Sequence, residues 1–168
     1  MPVTLFHGGV GLALKAAAGR HFSFALFCCT QVAIDLESAY HLVRGDWPVH
    51  RFFHTFLGAA FLSTVVVFAV RAPVTAVLRL LARQPDMRRW IGRPEISWPA
   101  AVSTAIAGCL GHVIPDAIMH GDVEPLAPFS VANQFYEVVT VGALHLALVA
   151  LEVVGLGMFL FSVRGKAG

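Results

Sequence analysis

A chain of 168 residues that is 57% hydrophobic and 13% charged, with a mean hydropathy of +0.73, is too apolar for a soluble domain. Such domains run about 45–50% apolar and about 25% charged. A net charge of +2 gives no ground for a nucleic-acid partner, and the length allows one domain over residues 1–168.

The first apolar stretch, Val3 to Ala18, is shorter than the roughly 20 residues a helix needs to cross the hydrocarbon core. It reads as a thin span, a half-span or an interfacial helix, and Gly8, Gly9 and Gly11 suit close packing against another helix. Its positive charges come at the far end, Lys15 within the last turn and Arg20 after it, the reverse of a cleavable signal. Phe22 to Val43 is the first full span, and it carries Gln31, Asp35, Glu37, Ser38 and His41. Phe52 to Val70 is the second, introduced by His50-Arg51-Phe52-Phe53-His54. From Pro73 to Arg83, Val74, Val77, Leu78 and Leu81 recur at helical spacing opposite Arg79 and Arg83. That pattern fits an amphipathic helix on the membrane surface or a solvated linker helix. Trp98 to Met119 is the third span and Gln134 to Val163 the fourth. The expected fold is an all-α polytopic bundle of four or five transmembrane helices. Cys28, Cys29 and Cys109 lie inside apolar runs and read as small buried hydrophobes.

Charge sets the orientation. Ten of the twelve basic residues fall on one side if the spans alternate: Lys15, Arg20, six arginines between Arg71 and Arg93, Arg164 and Lys166. That side is expected to be cytoplasmic, with the C-terminus on it and a bacterial inner membrane as the setting.

The opposite ends of the spans collect the unusual residues. Ionisable groups in membrane spans are costly and need partners. His112, Asp116 and His120 are spaced i, i+4, i+8 and share one helix face, with Pro115 expected to kink the helix beside them. His50 and His54 are i, i+4, the spacing by which a helix offers two imidazoles to one ion. Asp35 and Glu37 sit late in their span and point about 200° apart on a straight helix. His7 comes to the same side. Imidazoles and carboxylates are the ligands of zinc and related divalent ions. The expected metal ligands are therefore His7, Asp35, His50, His54, His112 and Asp116, for zinc or else manganese. Glu37, Arg51 and His120 are expected to act in catalysis, Glu37 as a base or further ligand and Arg51 on an anionic group such as phosphate. So many ligands exceed one tetrahedral shell, and would serve two metals or one metal with acid/base groups. The plainer alternative is a set of hydrogen-bonded pairs that fix packing. His145 and Glu152 share a face of the last span and read as a structural pair or a thin proton path.

In order, His7, Asp35-Leu-Glu37, His50-Arg51 with His54-Thr55, and His112 with Asp116, followed by the Pro-containing stretch Gly121–Ser130, resemble the YdjM-like family of membrane-bound metal-dependent hydrolases. The resemblance covers residues 7 to 130 as sparse motifs. Glu37 stands where that family has an Asp, the His-Arg element is one residue shorter between its two His, and His120 is additional. The resemblance implies a hydrolase of membrane or envelope substrates. A site that opens at a membrane face suggests membrane lipids and a small or lipid-linked substrate, such as a phosphoester, as partners. Two other classes compete with it. A small metal or proton transporter would need polar groups that continue across the membrane. A bis-His haem cytochrome would use His54 and His112 but has no need of the carboxylates.

Overall fold

The structure is a computed structural model that describes residues 7–164, with side chains from 8 to 163. Six α-helices follow one another, and the described residues contain no strand: α1 (His7–Ala18), α2 (Phe24–Arg44), α3 (Phe56–Leu81), α4 (Pro85–Ile91), α5 (Trp98–Met119) and α6 (Val141–Arg164). Three of them, α3, α5 and α6, are long and apolar enough to cross a membrane. At 1.5 Å per residue, their 26, 22 and 24 residues reach about 33–39 Å, against a hydrocarbon core of about 30 Å. Their outward faces expose Phe68, Leu146 and Phe161, the arrangement expected where lipid is the solvent.

The expected count of four or five therefore meets three clear spans. With 21 residues, α2 is long enough but not apolar enough, because Gln31, Asp35, Glu37 and Ser38 dilute its hydropathy. The described part of α1 has twelve residues. The sequence places the start of the last helix seven residues early. Thr140 receives the Ala143 N–H on its hydroxyl, and before it Asn133 and Glu137 spend hydrogen bonds on the end of α5, as described below. The surface helix expected at Pro73–Arg83 is instead the continuation of α3, which runs through Pro73. Its apolar face, Val70, Val74 and Leu78, packs on Leu26, Ile96 and Ala101. Where no water competes, a helix keeps its remaining hydrogen bonds despite one proline.

Packing places α5 at the centre, against α2 and α3, while α1 lies along α6. Glycines set the close approaches. A Cβ on Gly108 of α5 would collide with the Thr30 side chain of α2, and one on Gly155 of α6 would lie 2.5 Å from the Ala13 backbone of α1. Small residues of this kind let membrane helices approach closely. The contact at Gly108 brings Gln31 within reach of α5: its Nε2 donates to the Gly108 carbonyl at 3.1 Å.

Candidate metal centre

Three local devices aim the site. Ser23 and Thr55 cap α2 and α3 by accepting the Leu26 and Gly58 N–H groups on their hydroxyls, so His54 ends the short 3-10 turn Phe52–His54 directly before α3. The last carbonyls of α5 are satisfied by the chain that follows it. Asn133 donates to the Ala117 and His120 carbonyls at 2.8 and 3.1 Å, and the Glu137 N–H donates to Ile118. A helix end leaves such carbonyls without intrahelical partners. Their capture folds residues 120–137 back over the end of α5.

Asp35, His54, His112 and Asp116 form a buried group whose ligand atoms lie within 4.8 Å of one another and which could hold a metal ion. His112 Nε2 lies 3.2 Å from Asp116 Oδ2 and 3.5 Å from Asp35 Oδ1. His54 Nε2 lies 3.5 Å from the same Asp116 oxygen. Tetrahedral donors stand about 1.6 bond lengths apart, which is about 3.3–3.6 Å for zinc–nitrogen and zinc–oxygen bonds.

The outer nitrogens fix which atoms face inward. His54 Nδ1 donates to Glu37 Oε2 at 3.2 Å, and that oxygen also accepts the Arg51 and Phe53 N–H groups at 3.2 and 2.9 Å. His112 Nδ1 lies 3.1 Å from Gln31 Oε1. Because the amide nitrogen of Gln31 is committed to Gly108, its oxygen faces the imidazole and His112 carries its proton on Nδ1. In the neutral rings both Nε2 atoms present lone pairs. Metal-ligating histidines are held this way, by an acceptor on the far nitrogen. Ser38 donates to His54 Nε2 at 3.1 Å.

His50, expected in the same shell, belongs to a neighbouring group with His120 and Asp122. Its Nδ1 lies 2.9 Å from Asp122 Oδ1, its ring centroid is 4.7 Å from that of His54, and it stacks on His120 at 4.4 Å. His50 and His54 do meet, but through the 3-10 turn rather than on the shared α-helical face that their spacing suggests. Asp122 is not among the residues expected at the site from the sequence. The available signal was its position two residues after His120, in His-Gly-Asp. Burial pushes the Asp122 carboxyl up, but hydrogen bonds from the His50 ring and from the His50 and Val49 N–H groups outweigh it and hold the carboxyl below its usual range. Burial first, and the neighbouring His50 next, hold the His120 imidazole below its ordinary value, so it is more readily neutral.

Of the other expected residues, Arg51 is exposed and anchored through Nε to the Pro48 carbonyl at 3.0 Å. Glu37 lies behind His54 rather than facing the four ligand atoms with it. The side chain of His7 lies outside the described residues, although Val10, one turn on, packs at Gly111 beside His112. His145 Nδ1 bonds the Val141 carbonyl of its own helix at 2.8 Å. Glu152 packs at Gly9 of α1. With the His54 and His112 rings 5.2 Å apart and Asp116 against both, no slot for a porphyrin opens between them, so the donor set fits a small cation and not a haem. No protein-family model, no curated protein and no solved structure matches this chain.

Proposed function

We propose that the protein is an integral membrane metal-dependent hydrolase that cleaves a phosphoester or ester of a lipid-linked or envelope substrate at the outer membrane face. One observation carries this reading: two imidazoles, each held at Nδ1, turn Nε2 onto two buried aspartates at the spacing of a tetrahedral shell. Two nitrogen and two oxygen donors favour zinc, with manganese second. A divalent ion there offsets carboxylate charge that is otherwise very unfavourable in an apolar bundle. When bound, such an ion polarises a phosphoryl or acyl oxygen and eases deprotonation of water. Glu37 and Gln31 orient the ligands, and Arg51 supplies donors for an anionic group. The resemblance of the ordered motifs to the YdjM-like hydrolases supports the reaction class. In this reading α2 crosses the membrane as a fourth span, its polar residues turned onto α3 and α5, and the arginine-rich side with the C-terminus faces the cytoplasm of a bacterial cell.

Asp116→Asn tests the reading. An amide oxygen is a weaker donor and lacks the complementary charge, so zinc content per purified chain is expected to fall and zinc affinity to weaken by more than about 10–100-fold. Unchanged zinc with an unchanged or raised melting temperature would mean that Asp116 belongs to a structural ion-pair knot, since removing a buried charge can itself stabilise.

A further inference from the structure

Beside the inner four ligands lies a group of different character. His50, His120 and Asp122 each offer one ligand atom, all within 4.8 Å of one another, and two of the three are only partly buried. Among the described residues no hydrogen bond holds the His120 ring. It stacks on His50 with the planes 29° apart. Asp122 Oδ2 accepts the Val49 and His50 N–H groups at 3.2 and 3.3 Å, so the carboxylate is fixed before any ligand arrives.

We propose that His50, His120 and Asp122 bind a second divalent cation, and that this outer ion holds the open coordination position at which an anionic substrate meets the protein. Three arguments converge on it. The first is ligand count. Two His and one carboxylate leave a position for water or substrate, as in catalytic zinc sites, whereas the inner group already offers four protein donors and takes a substrate oxygen only by expanding its shell. The second is access. The inner donors are buried, while His50 also lines a cleft of roughly 360 Å³ with Pro48, Arg51, Thr55, Glu124 and Pro128. The Arg51 guanidinium, held by Pro48, gives that cleft donors for phosphate oxygens. The third is charge. Asp35, Glu37, Asp116 and Asp122 in their ionised forms carry four negative charges at one end of an apolar bundle, and two divalent ions balance them where one would not. The ligand set and access of the second ion stand independently of the inner site; the charge argument counts the inner carboxylates, and the substrate role rests on the hydrolase reading.

The test is zinc content per chain after equilibration of purified, detergent-solubilised protein with zinc chloride, together with binding of inorganic phosphate. Wild type is expected to hold two zinc ions. His120→Ala, which removes a partly buried ring from the end of α5, is expected to hold one and to bind phosphate at least tenfold more weakly. Asp122→Asn keeps an acceptor oxygen for the two backbone N–H groups and should behave alike. Asp35→Asn should lose the inner ion and keep the outer. Wild type saturating at one ion, His120→Ala retaining two, or His120→Ala binding phosphate as wild type does would each overturn the proposal. Loss of an ion in Asp35→Asn but not in His120→Ala leaves the inner site standing and removes the outer one. The reverse pattern removes the inner site and keeps the outer.

Discussion

Gln31 shows how much of the site depends on a residue outside the four candidate ligands. It joins the Gly108 carbonyl to His112 Nδ1, and so decides which nitrogen of that imidazole faces Asp35 and Asp116. Gln31→Leu, of similar size, removes the acceptor and leaves the ring free to take the wrong tautomer. Zinc affinity, measured by competition with a chromophoric chelator, is expected to fall about 10–100-fold. Gln31→Glu keeps an acceptor at the same place and is expected to restore most of it. Equal affinities for all three proteins would show that Gln31 only fills space. Much of this was visible beforehand. Asp35, His54, His112 and Asp116 stood out because charged and imidazole groups inside apolar runs demand a reason. Gln31 was seen only as a neighbour of Asp35, because its role comes from the crossing of two helices 77 residues apart in sequence, which no local pattern records.

Among the elements, α5 was the most legible. Trp98 to Met119 is both the expected span and the observed helix, since Ser97 caps it and the chain turns away after Met119. The end of α3 lies eleven residues beyond the expected Val70, because the amphipathic pattern from Pro73 to Arg83 reads as a separate helix. Arg71 instead stays in the helix, with its guanidinium 4.0 Å over the Trp98 ring and donating to the Ile96 carbonyl at 2.8 Å. A long side chain can thus reach a polar partner from within an apolar helix. The α2–α5 crossing gives a test at this scale. Gly108→Val places a branched side chain where even a Cβ meets Thr30. Overpacking of this kind costs about 1–3 kcal/mol, and here it also separates Gln31 from α5. The melting temperature and the zinc content are both expected to drop. A Gly108→Val protein with wild-type zinc content would show that the two helices need not approach so closely for the site to form.

For the molecule as a whole, the division of charge predicts which end faces the cell interior. The turn and short helix around Pro85–Ile91 carry Arg83, Arg88 and Arg89, whereas the His/Asp groups occupy the other end of the bundle. With the three native cysteines replaced by alanine, Arg88→Cys is expected to react with an impermeant maleimide only after the membrane is opened. Phe129→Cys, on the exposed loop over the site, should react in intact cells. Labelling in the opposite pattern would invert the topology and place the buried His/Asp group on the cytoplasmic face. The low hydropathy of α2 also bears on biogenesis. A carboxylate at the middle of an inserting helix costs about +2.5–3.5 kcal/mol, and α2 carries two along with Gln31 and Ser38. The surfaces that cover them, His54, Gly108, His112 and Asp116, all lie later in the chain. If α2 crosses the membrane as proposed, the helix that supplies Asp35 to the candidate centre is therefore the one that insertion favours least when it leaves the ribosome. Its final seating must wait until α5 has been synthesised, which places closure of the buried His/Asp group among the last events in the protein's assembly.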